Sequence, residues 1–75
     1  MITKMCEMLV LNPNGDQVVA CHVTLTNGQI EITPSPGHQI MAQNLLEEAR
    51  QQDAAKWFYS LPRVYSGTYL RAKII

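Results

Sequence analysis

Glu7 and His22 are the residues best suited to acid–base chemistry, because they are predicted to lie opposite each other on two neighbouring strands. A carboxylate beside an imidazole can orient it or exchange a proton with it. Cys21 is the nearest nucleophile, but neighbouring residues of a strand point to opposite faces. A flat sheet also excludes no water from such a pair. We therefore interpret Glu7 and His22 as a cross-strand ion pair and expect no enzyme activity.

The spacing of the ligand-type residues does not support metal or cofactor binding. Cys21 and His22 are adjacent in a strand, so their side chains point to opposite sides and cannot bind one ion. Cys6, Cys21 and His38 lack the paired short spacings of structural zinc sites. The four glycines are too scattered to form a phosphate-binding loop. We expect neither a metal nor another cofactor.

Length and charge restrict the function further. The chain has 75 residues, with six acidic and six basic side chains, so its formal net charge is zero. This length suits one small domain, which we assign to residues 1–75. A neutral chain has no bulk attraction for nucleic acid or for an anionic membrane. The longest apolar run is far shorter than the ~20 residues of a membrane span, and we expect no signal peptide.

The two cysteines are too few for a disulfide framework. Cys6 and Cys21 are predicted to lie on the same face of a sheet at diagonal positions, which leaves a disulfide open as an alternative. We favour two buried thiols, because free cysteine packs as a small apolar residue in a reducing compartment. The expected location is the cytoplasm.

Three short apolar runs joined by Asn14-Gly15 and Asn27-Gly28 organise the first half of the chain. Asn-Gly favours a type I′ turn, which needs positive φ at both central residues. Two-residue loops at both sites predict one register, in which Val10 pairs with Val19, Met8 with Cys21, and Thr26 with Gln29. Both hairpins then turn the same apolar residues to one face of the sheet. This predicted inner face consists of Cys6, Met8, Val10, Val19, Cys21, Val23, Leu25, Ile30 and Ile32.

A proline-rich segment ends the third strand and starts a helix, with Ser35 as N-cap and Pro36 at the first helical position. The apolar stripe that follows changes phase near Gln52, so one straight helix cannot bury both of its halves. We predict a break there, with Asp53 capping a second helix that Leu61-Pro62 terminates. One continuous helix touching two surfaces is the alternative. The stripe residues are Met41, Ala42, Leu45, Leu46 and Ala49, followed by Ala54, Trp57, Phe58 and Leu61.

Residues 63–75 are rich in β-branched and aromatic side chains, which predicts a fourth strand with a bulge at Ser66-Gly67. The helical segment must return the chain across the sheet, so this strand is predicted to run parallel to the third. We place it beside the first strand, with the edge of the third as the alternative. The predicted fold is α+β: a four-stranded mixed sheet of order 3-2-1-4 with helices on one face.

The face of the sheet away from the helices should expose an apolar strip bordered by tyrosines and basic groups. A sheet covered on one side usually has a polar outer face, and apolar patches often mark interaction sites. The first hypothesis is a protein–protein interaction module that forms a homodimer or binds another protein. The second is nucleic-acid binding, with rings stacking on bases and cations meeting phosphates. The predicted partner-binding residues are Met5, Glu7, Leu9, Leu11, Val18, His22, Tyr65, Tyr69, Arg71 and Lys73.

Residues 57–62, with the sequence WFYSLP, resemble a motif in small phage proteins. These are the anti-CRISPR inhibitors of type I-F surveillance complexes, which include a chain of strands joined by Asn-Gly turns and followed by a helix. The likeness spans roughly residues 5–62. After residue 62 this chain and the phage protein diverge, because this chain is predicted to form a strand there. The resemblance implies a phage-encoded inhibitor that occludes a host complex through surface tyrosines and acids. It assigns no binding residue to this chain.

Overall fold

The computed structural model describes residues 2–75, which form a four-stranded antiparallel sheet with two helices on one face. The strands are β1 (Thr3–Leu11), β2 (Gln17–Thr26), β3 (Gln29–Pro34) and β4 (Leu70–Ile74). The helices α1 (Gln39–Arg50) and α2 (Ala54–Val64) lie between β3 and β4 in the chain. The strand order is β3-β2-β1-β4, so the predicted α+β class, element order and strand order are confirmed.

The direction of β4 differs from the prediction. It pairs antiparallel with β1, from Cys6 opposite Ile74 to Val10 opposite Leu70, so the sheet is not mixed. A connection with one helix would return the chain to the end of the sheet where β3 begins, and a parallel strand would follow. Here the connection contains two separate helices, and the second carries the chain back to the opposite end.

The second hairpin has the predicted two-residue turn. Asn27 has φ of 52° and Gly28 has φ of 79°, the positive values that a type I′ turn requires. Thr26 pairs with Gln29 across this turn, as predicted. Asn-Gly therefore determines the register of β2 against β3.

The first hairpin has a longer loop than predicted. Gly15 has φ of 86°, but Asn14 does not share its positive φ. The N–H of Gly15 donates to the carbonyl of Asn12 (2.9 Å), and the N–H of Asn12 donates to the carbonyl of Asp16 (2.9 Å). Pro13, Asn14 and Gly15 thus form a three-residue loop, a turn followed by a left-handed glycine.

A bulge at Ala20 compensates for the longer loop. Leu9 pairs with Val19 and Met8 with Cys21, so Ala20 is the extra residue on β2. The predicted pairing of Val10 with Val19 is therefore wrong, because the loop shifts the register by one residue. Beyond the bulge the original register returns, and the predicted pair Met8–Cys21 is confirmed.

Ser35 holds the bulge in place instead of capping α1. Its N–H donates to the carbonyl of Ala20 (2.8 Å), and its hydroxyl donates to the carbonyl of Val19 (2.7 Å). The helix begins three residues later than an N-cap at Ser35 would require, with His38 as N-cap and no side-chain hydrogen bond there. The predicted cap at Ser35 is wrong because its polar atoms bond to β2.

The break between the helices is confirmed, and the predicted end of the second helix is wrong. The Asp53 carboxylate accepts a hydrogen bond from the N–H of Lys56 at 3.1 Å, as an N-cap does. Pro62 lies within the last turn of α2, which continues to Val64. Near a helix end, proline removes one hydrogen bond without breaking the turns before it. Ser66-Gly67 lies in the loop before β4 and forms no bulge within a strand.

The core lies between the inner face of the sheet and the two helices. Its largest fully buried side chains are Trp57, Phe58, Met8, Leu61, Val23, Cys6 and Cys21. Both cysteines are free, which confirms the favoured interpretation over a disulfide. Burial raises the pKa of the Cys6 thiol and raises that of Cys21 to about 11, so both stay protonated at neutral pH.

Candidate interaction face

The side of the sheet away from the helices is the candidate site, and we call it the open face. On β1 its residues alternate with Cys6 and Met8, which have no exposed surface. Residues paired across neighbouring strands share a face, so the pairing extends the open face to all four strands. Its principal residues are Met5, Glu7, Leu9, Leu11, Val19, His22, Thr24, Glu31, Thr33, Arg71 and Lys73.

A charged row crosses the middle of the open face. Glu7 on β1 lies between His22 on β2 and Lys73 on β4. The Oε2 atom of Glu7 is 3.6 Å from Nε2 of His22, so the two side chains form a cross-strand ion pair when the imidazole is protonated. Their side chains are 24% and 39% exposed, so water screens the pair and its contribution to stability is below about 1 kcal/mol.

Apolar side chains lie on both sides of the charged row. On one side, half-buried Leu9 and Val19 form a cross-strand pair, and half-buried Leu11 follows on β1. On the other side, Met5 is 36% exposed and accepts a backbone hydrogen bond from Ile75, whose side chain is 63% exposed. The open face therefore carries apolar surface where a solvated sheet usually carries polar side chains.

Charge changes sign across the width of the open face. Arg71 and Lys73 are exposed on β4, at one edge of the sheet. Glu31 is exposed on β3, at the opposite edge, and pairs with Thr24. The β4 edge of the open face is thus basic and the β3 edge acidic, although the whole chain has zero net charge.

Val18 was predicted on the open face, and the structure places it on the helix side. Val18 pairs with Val10, which shares a face with the buried residues of β1. Val19 takes its place on the open face, because the loop and the bulge change the facing of this part of β2. The sequence carried a signal for this change: Pro13 before Asn14 suits the second position of a type I turn.

Tyr65 is the other predicted residue that does not belong to the open face. It follows α2 as the C-cap, is half-buried, and its hydroxyl donates to Oε2 of Glu48 on α1 at 2.5 Å. Burial, together with this hydrogen bond and the Glu48 charge, raises the pKa of Tyr65. The prediction failed because Tyr65 was assigned to the last strand, which begins only at Leu70.

The other predicted partner-binding residues lie on the open face or beside it. Met5, Glu7, Leu9, Leu11, His22, Arg71 and Lys73 lie on the open face. Tyr69 is 81% exposed in the loop immediately before β4, next to the basic edge. Within residues 2–75, no group of three or more His, Cys, Asp or Glu side chains is arranged to hold a metal ion.

No known protein family, curated protein or solved structure matches this chain. Within the described part of the chain, neither α1 nor α2 has the length and apolar character of a membrane-crossing helix. Function is therefore inferred from the composition and geometry of the open face.

Proposed function

We propose that this protein is a non-enzymatic protein–protein interaction module that binds its partner through the open face. The observation that carries the proposal is the apolar surface on both sides of the Glu7–His22 row. Burying the exposed part of Met5, Leu9 and Val19 in a complex would contribute about 25 cal/mol for each Å² removed from water.

The side chains at the borders of the open face support the same function. Met5, Tyr69 and Arg71 are exposed there, and methionine, tyrosine and arginine are enriched in protein interfaces. The two free, buried thiols fit a reducing compartment, so we place the module in the cytoplasm.

Nucleic-acid binding is the alternative function, and fewer residues support it in the folded chain. Stacking on bases needs exposed rings beside cations, and Tyr69 beside Arg71 still meets this condition. Tyr65 is instead bonded to Glu48, and Lys73 pairs across strands with the acidic Glu7. One ring and two cations at a single edge of the sheet make a small footprint for a phosphate backbone.

The resemblance of residues 57–62 to phage inhibitors suggests a host complex as another kind of partner. In this fold Trp57, Phe58 and Leu61 are core residues with at most 2% of their surface exposed. The shared letters thus include packing residues, which support a likeness of fold more than a shared binding surface.

Site-specific photo-crosslinking tests whether the open face is the binding surface. A photoreactive amino acid replaces Leu11 on the open face or, as the matched control, Ile40, which is 75% exposed on α1. We expect protein adducts from position 11 and none from position 40. Adding Leu9→Glu to the chain that carries the photoreactive residue should suppress these adducts, because it places a charge on the apolar part of the open face.

The outcomes separate the hypotheses. Equal labelling from both positions, or no adduct from position 11 at any protein concentration, would refute the proposed function. Adducts to RNA whose yield falls linearly with the logarithm of salt concentration would instead support the nucleic-acid alternative.

A further inference from the structure

We infer that the partner of the open face is a second copy of this chain, packed face to face about a two-fold axis parallel to the strands. The inference rests on the proposed function and names its partner. Its basis is the opposite charge of the two edges of the open face, Glu31 on β3 against Arg71 and Lys73 on β4.

The two face-to-face arrangements that keep the strands of both copies aligned differ in the charges that they bring together. A two-fold axis perpendicular to the strands places β4 over the β4 of the second copy, so that basic residues oppose their own copies. An axis parallel to the strands places β4 over β3 of the second copy instead. Lys73 then lies two residues along the strand from the level of Glu31 of the second copy, an offset of about 7 Å that the long lysine and glutamate side chains can span.

The same axis also brings complementary side chains of the two copies together at the centre of the open face. When it passes between β1 and β2, it places each of these strands over the other and keeps every residue at its level along the strand. Leu9 then lies over Val19 of the second copy, and Glu7 lies over His22. Apolar groups meet apolar groups, and each carboxylate meets an imidazole, so the face is self-complementary.

The size of the face predicts a weak dimer. Four strands ~4.8 Å apart, each contributing about five residues, span roughly 20 by 17 Å. This footprint is smaller than the ~800 Å² that each partner buries in a standard interface. Association must therefore be measured from micromolar to millimolar concentrations.

Charge reversal with complementation tests the arrangement by sedimentation equilibrium. We expect the wild type to dimerise as concentration rises. Glu31→Lys alone and Lys73→Glu alone should each weaken self-association by about tenfold, because like charges then meet at both edges. An equimolar mixture of the two variants should recover dimers, since each reversed residue meets a residue of opposite charge in the other variant.

Control variants carry the same charge changes on the helix side. Glu47→Lys on α1 and Lys56→Glu on α2 are at exposed positions and should change neither self-association nor its behaviour on mixing. Lys73→Glu places a second carboxylate beside Glu7, so circular dichroism must show that it folds. If it does not fold, Glu31→Lys alone still tests the arrangement against its Glu47→Lys control, because Glu31 pairs with the uncharged Thr24.

A wild-type protein that stays monomeric at millimolar concentration would overturn the second copy as partner. A mixture no more dimeric than its separate variants would overturn the arrangement about this axis. If position 11 still yields adducts to a different protein, the open face remains a binding surface and only the identity of the partner is wrong. If position 11 yields no adduct either, the proposed function fails as well.

Discussion

The two faces of this sheet come from the same four strands and differ in what covers them. On the inner face, Cys6, Met8, Cys21 and Val23 have no exposed surface, because α1 and α2 pack over the sheet. On the open face, residues of similar apolar character, such as Met5, remain partly in contact with water. Strand alternation thus assigns a residue to a face, whereas the helices decide which face becomes the core.

The largest difference between the faces should appear when a charge is introduced on each. Val23→Asp places an unpaired carboxylate in the core, at a cost of about 3–5 kcal/mol. This cost is comparable with the total stability of a domain of this size, about 4–11 kcal/mol, so we expect loss of the cooperative fold. Thermal unfolding followed by circular dichroism measures it.

Leu9→Asp is the matched control on the open face. It places the new carboxylate opposite Arg71, so the fold should survive and self-association should weaken. A soluble Val23→Asp protein that melts cooperatively, or a Leu9→Asp protein that does not fold, would reverse our assignment of the faces.

The rate of cysteine alkylation should also differ between the two faces. With its pKa raised to about 11, roughly one Cys21 side chain in a thousand is ionised at pH 8, against about a quarter of ordinary thiols. Iodoacetamide should therefore alkylate Cys21 roughly 250-fold more slowly than a cysteine introduced on the open face by Thr24→Cys. Mass spectrometry of each labelled position gives the rates, and equal rates would contradict the burial of Cys21.

Val18 and Val19, which lie next to the bulge, test the assignment of residues to the two faces. Val18 lies on the helix side and Val19 on the open face, the reverse of what uninterrupted alternation from Cys21 predicts. Val18→Asp should therefore lower the free energy of unfolding by about 1–2 kcal/mol more than Val19→Asp. Urea denaturation of the two variants measures the difference, and the opposite order would mean that β2 has no bulge.

The smallest expected effect concerns the contact between the helices. Tyr65→Phe removes the hydrogen bond to Glu48, and we expect a loss of about 0.5–1 kcal/mol because the contact is partly exposed. Tyr59→Phe is the control, since its ring contact with Phe58 does not involve the hydroxyl.

The Tyr65 contact also predicts a pH dependence. The pKa of Tyr65 is raised in the folded state, so its contribution is complete below its ordinary value of 10.0. The contribution is lost as the pH rises through the raised pKa. The wild type should therefore lose stability above about pH 10 more steeply than Tyr65→Phe. Parallel curves for the two proteins would show that the Glu48 contact does not stabilise the fold.

Local patterns were sufficient for the parts of the fold that depend on neighbouring residues. Asn27-Gly28 predicted its turn because both residues accept positive φ, and the alternation around Cys6 and Val23 predicted the inner face. Asp53 was predicted as a cap because its side chain reaches a backbone N–H three residues ahead. Most open-face residues followed from the same alternation.

The remaining features depend on contacts between residues far apart in the chain. The bulge that exchanges Val18 and Val19 is held by Ser35, sixteen residues after Val19. The location of Tyr65 depends on Glu48 on the other helix, and the direction of β4 depends on how often the helices cross the sheet. Periodicity in a sequence reports which way a side chain faces relative to its neighbours. The partner of a hydrogen bond and the end at which a strand begins are set only when the elements pack together.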